Sequence, residues 1–251
     1  MPSSWISRTP CNGSPQVRLV CFPYAGVGPS IFNGWADHLP PNVELCAVHL
    51  PGREQRWDEP PLNRMEHLVE ELEPALIPIL DLPFALFGHS LGALIAFEIA
   101  RSLRHNHALE PVHFFASGCA APHLPLINSP VHNLPERDFI SHLRRMEGTP
   151  TQVLEDVELM EFLLPLLRAD FAVRETYRFV PDDSSVCPLT AIGGSEDREV
   201  AVDRVAAWCR HTLGAFTHVT LTGGHFFLNG PNPLLLDIIA AKLRGETKAS
   251  S

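Results

Sequence analysis

The sequence predicts an α/β fold whose sheet is mostly parallel and doubly wound. Short apolar runs of strand length alternate with helical patterns along the 251 residues, and most runs are almost continuously hydrophobic. Continuous hydrophobicity is typical of parallel strands covered on both faces, and strand–helix alternation is typical of a doubly wound sheet. The predicted strands are Val17–Phe22, Val43–Leu50, Phe84–Phe87, Val112–Ser117, Leu189–Ile192 and His218–Leu221.

Helices are predicted between these strands from apolar residues at helical spacing. The first apolar stripe covers residues 62–72, and we expect Pro74 and Pro78 to break or kink the helix beyond that stripe, because proline lacks an amide proton. The run Leu91–Leu103 is apolar throughout, as expected for a helix that packs against the centre of a sheet. The other predicted helices are Val200–Leu213 and Pro233–Leu243.

One connection is far longer than a crossover requires. About 70 residues separate the strand that ends at Ser117 from the next one, whereas most such connections are much shorter. Two apolar stripes within it indicate helices. We expect residues 1–251 to form a single domain with an insertion at about residues 120–182 that acts as a lid over a pocket. The alternative is a helical subdomain that only packs on the sheet. The stripes are Phe139, Leu143 and Met146, then Leu159, Phe162, Leu163, Leu166 and Leu167.

Composition and charge exclude several classes of protein. The chain has 19 Lys and Arg against 29 Asp and Glu, a net charge of −10, which argues against nucleic acid as a partner. There is no cluster of basic residues for an anionic membrane surface. No apolar run reaches the roughly 18 residues of a membrane span, and the first fifteen residues lack a signal core. The expected location is the cytoplasm.

The cysteines predict neither disulfides nor a metal site. All six are scattered without a CxxC pair, and several lie in strand-like runs, so we expect buried free thiols. No His, Cys or Asp spacing forms a credible metal site, and no cofactor is expected. The cysteines are Cys11, Cys21, Cys46, Cys119, Cys187 and Cys209.

The pentad Gly88-His89-Ser90-Leu91-Gly92 matches the G-x-S-x-G pattern of a nucleophile elbow. It comes after a predicted buried strand and opens a predicted helix, which is the strand–turn–helix context that such an elbow needs. The glycines permit a tight turn, and the turn would project the hydroxyl of Ser90 above the sheet. The simpler interpretation is a serine that caps a helix beside packing glycines.

A serine hydroxyl needs a base, and the base needs a carboxylate. His225 comes after the last predicted strand, where this fold places a catalytic histidine. The loop after the preceding strand offers Asp197, with Glu196 as its main rival and Asp203 as a more distant one; a helix-capping role for Asp197 is the alternative. The order Ser90, Asp197, His225 is that of the α/β-hydrolases.

Two amide protons are needed to stabilise an oxyanion. One is expected from Leu91, directly after the serine. The other is expected from the glycine-rich turn after Val17–Phe22, where we favour Ala25 over Tyr24; a turn without any catalytic donor is the alternative.

From about Arg18 to Leu243 the chain resembles the stand-alone type II thioesterases of nonribosomal peptide and polyketide synthesis, which belong to the α/β-hydrolase superfamily. The matching strings, in a characteristic order, are FPYAG at 22–26, LPGRE at 50–54, FGHSLG at 87–92, GTP at 148–150, LPLLRADF at 164–171 and GGHFFL at 223–228.

The resemblance implies hydrolysis of acyl thioesters held on the phosphopantetheine arm of carrier domains, which would be the partners. It also implies that the long connection is a helical lid, with Ser90, Asp197 and His225 as the triad. Ala25 and Leu91 would form the oxyanion hole. One departure is Val27, where the family usually has a second consecutive glycine. Arg53 also matches a family residue, and the expected role is a structural ion pair.

Three other functions use the same sequence features. A carboxylesterase or lipase would apply the triad to oxygen esters. A binding module would hold an acyl group or a carrier domain without chemistry. An acyl-transferring or cyclising domain would be part of a synthase, whereas the short flanks of this chain lead us to expect a free-standing enzyme.

Overall fold

The computed structural model describes residues 5–146, 148–182, 185–230 and 232–246. In these residues, seven strands form one sheet in the order β1-β3-β2-β4-β5-β6-β7. The strands are β1 (Ile6–Thr9), β2 (Val17–Phe22), β3 (Val43–Val48), β4 (Phe84–His89), β5 (His113–Ser117), β6 (Leu189–Gly194) and β7 (Phe216–Leu221).

Strands β2 to β7 are mutually parallel, which confirms the predicted mostly parallel sheet. The first strand, β1, was not predicted. It pairs antiparallel with β3 at the edge of the sheet, with Ile6 opposite Val48. Its four residues are half-buried or exposed, so they carry no hydrophobic run from which a strand could be predicted.

The described part of the chain contains seven α-helices. They are α1 (Met65–Leu76), α2 (Leu91–His107), α3 (Glu136–Met146), α4 (Thr151–Glu155), α5 (Val157–Thr176), α6 (Val202–Ala206) and α7 (Pro233–Glu246). Pro74 lies inside α1, which continues for two more residues before a 3₁₀ turn that contains Pro78. The predicted helix at Val200–Leu213 is instead the short α6 and then a 3₁₀ turn at Ala207–His211.

Alternate side chains of the central strands enter two separate apolar cores. Val20 of β2 and Leu86 of β4 pack on one face with α1 and α2, whereas Leu19 and Phe87 pack on the other face with α7. Both faces of the sheet are therefore covered, as the continuous hydrophobicity of these strands predicted. The carboxyl ends of the strands remain as the edge at which polar side chains can meet.

The long connection between β5 and β6 carries α3, α4 and α5 and has an apolar cluster of its own. Its buried members include Phe139, Leu143, Met160, Leu164 and Phe171. Both predicted stripes lie on helices, as expected, although Leu159 and Phe162 of the second stripe are 38% and 52% exposed. Since α5 is apolar on more than one side, its periodicity alone does not show which side faces the rest of the protein.

The cysteines have no disulfide partner: all six are free, four of them buried, while Cys11 is half-buried and Cys209 is exposed. Among the described helices, none has the length and apolar character needed to cross a membrane.

Candidate active site

Ser90 lies at the turn between the last residue of β4 and the first residue of α2. Its backbone has φ 53° and ψ −117°, a conformation that is strained for a residue with a side chain. The turn is held on both sides, because the Ser90 amide donates to the Ser117 carbonyl at 2.8 Å and its carbonyl accepts from the Ala93 amide at 3.1 Å. The predicted strand–turn–helix context is therefore present.

The two glycines of the pentad allow close backbone approach. A Cβ on Gly88 would lie 2.3 Å from the carbonyl oxygen of Gly92, and a Cβ on Gly92 would lie 2.2 Å from that of Phe22. Neither position can hold a side chain without moving the backbone. The start of α2 is consequently pressed against both β4 and the end of β2, which brings Ser90 close to the turn after β2.

The structure brings Ser90, His225 and Asp197 together. His225 Nε2 lies 3.1 Å from Ser90 Oγ, and His225 Nδ1 lies 2.8 Å from Asp197 Oδ2. The histidine is buried, and the carboxylate of Asp197 is fully so. These distances permit a continuous hydrogen-bonded chain from the carboxylate to the hydroxyl.

The two rival carboxylates do not reach the histidine. Glu196 and Asp203 are exposed, and no described residue other than Asp197 presents a carboxylate to His225 within hydrogen-bonding distance. Asp197 also has the capping-like role that was the alternative: its Oδ1 accepts the amide protons of Glu199 at 2.8 Å and Val200 at 2.9 Å. The loop after β6 and the histidine therefore share one carboxylate.

The electrostatics keep the Asp197 carboxylate ionised. Burial raises its pKa, but the hydrogen bond and charge of His225 and the amide protons of the loop outweigh burial, so the pKa lies below its ordinary value. An ionised carboxylate accepts but cannot donate hydrogen bonds, so it selects the tautomer of His225 that carries a proton on Nδ1. Nε2 is then left free to accept the proton of Ser90.

His89 is a buried residue that packs against His225. Its Nδ1 lies 2.9 Å from Ser117 Oγ, and its ring centroid lies 5.2 Å from that of His225. Burial and the neighbouring charge of His225 hold the pKa of His89 well below its ordinary value. His89 is therefore neutral and adds no competing charge beneath the candidate base.

Ala25 lies in a tight turn beside Ser90. The Tyr24 carbonyl accepts from the Val27 amide at 3.4 Å, and Gly26 has φ 82°. Within the described residues, no acceptor takes the amide proton of Ala25 or that of Leu91. Both residues line the cleft that contains Ser90, so they are the candidates for the two oxyanion donors.

The cleft at Ser90 has a volume of about 540 Å³ and opens to solvent. The connection between β5 and β6 supplies much of its wall. A second solvent-open cleft of about 2030 Å³ adjoins it, and Met146, Phe171 and Arg174 line both. Apolar side chains of the first cleft that come from the connection are Leu143, Met146, Leu167 and Phe171.

An ion pair beside the site was only half expected from the sequence. Arg53 and Asp170 are both buried, and their side chains meet through two hydrogen bonds of 2.8 and 2.9 Å. An ion pair was expected for Arg53, but its partner was not identified. The available signal was an aspartate between Ala169 and the apolar run Phe171–Val173 of α5, a position at which a charge needs a partner.

A model of the thioesterase domain family matches residues 17–243. The gramicidin S biosynthesis protein GrsT of Aneurinibacillus migulanus is 40% identical over 242 residues, which are 96% of this chain and 94% of GrsT.

Two solved structures have the same fold over most of their length. RedJ, a thioesterase from the prodiginine biosynthetic pathway in Streptomyces coelicolor, is 38% identical with a TM-score of 0.85 over 91% of each chain. The type II thioesterase BorB from the borrelidin biosynthetic cluster is 35% identical with a TM-score of 0.87, covering 97% of this chain and 99% of BorB.

Proposed function

This chain belongs to the thioesterase domain family, and we propose that it releases acyl groups from the phosphopantetheine arm of carrier domains through Ser90, Asp197 and His225. Its membership of this family, together with its similarity to proteins of gramicidin S and prodiginine biosynthesis, makes it a thioester hydrolase. The observation that carries the mechanism is the chain of hydrogen-bonding distances from Asp197 through His225 to Ser90.

In the acylation step, His225 Nε2 takes the hydroxyl proton as Ser90 Oγ attacks the thioester carbonyl. The carbonyl oxygen becomes an oxyanion, which the amide protons of Ala25 and Leu91 stabilise. The C–S bond then breaks, and the leaving thiolate receives the proton from His225. The products are an acyl-serine and a free thiol.

In the deacylation step, water takes the place of the thiol. His225 removes a proton from the water molecule as the water oxygen attacks the acyl-serine carbonyl, and the same two amides hold the second oxyanion. Collapse of this intermediate breaks the bond to Ser90 Oγ, which recovers its proton from His225. Asp197 remains ionised throughout and stabilises the imidazolium form of His225.

The two adjoining clefts support a substrate with a long arm. The apolar wall at Ser90 suits an acyl group, and the larger cleft beyond Met146, Phe171 and Arg174 offers space for an extended chain. Since α3 and α5 supply this wall, we interpret residues 120–182 as a lid over the active site. The carrier domain itself would remain outside.

The decisive experiment compares the wild type with Ser90→Ala on one acyl group in three settings: a carrier domain, free pantetheine and N-acetylcysteamine. The variant should lose at least about 10⁴-fold in kcat, since removing a triad nucleophile costs this much or more. Ser195→Ala, which changes an exposed serine near the site, is the matched control and should retain activity.

Each part of the proposal has its own contrary result. Near-normal hydrolysis by Ser90→Ala, or failure of a fluorophosphonate to label Ser90, would rule out the triad. Equal kcat/KM for the carrier-bound and small thioesters would rule out the carrier domain as a recognised partner. Faster turnover of a matched oxygen ester would instead favour the carboxylesterase.

A further inference from the structure

Asp170 of α5 holds the turn that contains Ala25. Its Oδ2 accepts the amide proton of Gly26 at 2.7 Å, although 144 residues separate the two in sequence. Gly26 is the third residue of the turn and has φ 82°, the conformation of a type II turn. The central peptide of such a turn can point either way, and its orientation distinguishes type II from type I. The carboxylate therefore selects one of the two orientations of this central peptide.

Arg53 fixes Asp170 and also holds the other end of the turn. Its Nη1 donates to Asp170 Oδ2 at 2.8 Å and its Nη2 donates to Asp170 Oδ1 at 2.9 Å. The same guanidinium donates to the Val27 carbonyl at 3.4 Å and to the Pro51 carbonyl at 3.2 Å. One buried cation thus joins α5, the turn after β2 and the loop after β3.

The packing leaves the turn no freedom to move towards α5. A Cβ on Gly26 would lie 2.6 Å from Leu167 Cδ2, and Leu167 precedes Asp170 by about one helical turn. If the central peptide reversed, the carbonyl of Ala25 would face the carboxylate of Asp170 and be repelled by it. The amide proton of Ala25 belongs to the preceding peptide and has no acceptor among the described residues. Because Ala25 lines the cleft at Ser90, holding the turn in place also holds Ala25 beside the serine.

We infer that Asp170 and Arg53 form a positioning pair that presents the Ala25 amide proton to the oxyanion. This inference rests on the proposed function, since it assumes that Ala25 is an oxyanion donor. Neither residue makes a hydrogen bond with Ser90 or His225. Asp170 borders the cleft at Ser90, but its buried carboxylate is hydrogen-bonded to Gly26 and Arg53. A buried ion pair by itself is weak evidence of a contribution to stability, and here its hydrogen bonds are directed to backbone groups of the turn.

The test uses Asp170→Asn and Arg53→Lys, with Glu44→Gln as the matched control. Asparagine keeps the size of the side chain and one acceptor for the Gly26 amide, but it loses the charge that pairs with Arg53. Glu44 is also buried and pairs with Arg18 at 2.7 Å, but it lies near the start of β3, at the sheet edge opposite Ser90. Both substitutions remove a buried carboxylate charge, and only one should affect the turn.

For Asp170→Asn we expect kcat on a small thioester to fall about 10-fold with KM nearly unchanged, as a fraction of the roughly 10²–10³ that loss of a whole oxyanion donor costs. The kcat of Arg53→Lys should fall in the same way. A trifluoromethyl ketone, whose adduct with Ser90 carries an oxyanion, should bind more weakly by a similar factor. The pH profile of kcat/KM should stay in place, because His225 and Asp197 are untouched.

Three results would overturn the inference: turnover by both variants within about threefold of the wild type, a change in KM alone, or an equal loss of kcat in Glu44→Gln. The last would mean that kcat tracks stability rather than the position of the turn. Asp170→Ala should lose more kcat than Asp170→Asn. If the alanine variant does not fold, the kcat of Arg53→Lys tests whether the pair positions the turn. Failure of the proposed triad is distinguishable, because Ser90 of the wild type would then not react with a fluorophosphonate. A preference for oxygen esters would leave the comparison of the variants with the wild type intact.

Discussion

Asp197 accepts a hydrogen bond from His225 with only one of its carboxylate oxygens, while the other oxygen receives the amide protons of Glu199 and Val200. The loop therefore fixes the direction of the carboxylate, and the carboxylate fixes the tautomer of the histidine. This division of the two oxygens allows the role of the charge to be separated from the role of the loop.

Asp197→Asn should reduce kcat by about 10⁴-fold while the protein remains folded. The amide oxygen of asparagine can still accept from Glu199 and Val200, but its NH₂ group would face Nδ1 and favour the wrong tautomer of His225. Steady-state kinetics on a small thioester, together with thermal unfolding, measure the two effects separately.

Glu196→Gln is the control for this substitution, since Glu196 is exposed and adjacent in sequence. It should retain turnover close to that of the wild type. If Glu196→Gln were the slower variant, the carboxylate would have been assigned to the wrong residue.

Gly92→Ala should slow catalysis and destabilise the protein. The added Cβ would lie 2.2 Å from the Phe22 carbonyl oxygen, so α2 must move away from β2, and Ser90 must move with it relative to Ala25. Overpacking of this kind costs about 1–3 kcal/mol in the free energy of unfolding. Urea unfolding and kcat on a small thioester are the measurements.

Gly34→Ala is the comparison for Gly92→Ala. Gly34 has φ 80°, and a Cβ there would meet no atom within 4 Å, so alanine adds only a backbone penalty of about 1–2 kcal/mol. It should leave kcat unchanged. Similar losses of kcat in both variants would show that general destabilisation, and not the distance between α2 and β2, is responsible.

The free energy of unfolding should decrease as the pH falls from about 7 to about 5, and His113 should contribute to this decrease. Burial, assisted by the charge of Lys242, lowers the pKa of His113 to about 4, whereas an unfolded histidine has a pKa of about 6.5. Between these values the unfolded chain binds the additional proton, so acid favours unfolding. The contribution at pH 5 is up to about 2 kcal/mol.

His113→Gln isolates this contribution, because glutamine can still pair with the Thr190 hydroxyl that lies 2.9 Å from His113 Nε2 but does not titrate. The stability difference between the wild type and the variant, measured by urea unfolding at several pH values, should shift in favour of the variant as the pH falls. Parallel curves over this pH range would contradict the prediction.

Alkylation at pH 8 should modify Cys209 first and Cys11 more slowly in the folded protein. Burial raises the pKa of Cys46 and of Cys119 to about 12, so these thiols carry almost no thiolate at that pH, and the thiolate is the reactive form. Mass spectrometry should show two modified cysteines in the folded protein and six in the urea-unfolded protein. Fewer than six after unfolding without a reductant would indicate a disulfide.

Sequence patterns predicted most of the local structure and all three members of the candidate triad, although for the carboxylate Asp197 was only preferred to its neighbour Glu196. The central strands are predicted by continuous hydrophobicity, and the turn at Ser90 is predicted by a strand, a pentad with two glycines and an apolar helix. His225 is predicted by its position after the last strand. These features depend on residues that are close together in the chain, so they can be predicted from a single sequence.

Only the tertiary structure decided which distant groups meet. It selected Asp197 over Glu196, showed which side of α5 is buried, added β1 to the sheet edge and paired Arg53 with Asp170 across 117 positions. Such pairs depend on the order of the strands and on how the loops at their carboxyl ends pack. No local periodicity records that order, because the same runs of residues would form the same strands and helices in a differently arranged sheet.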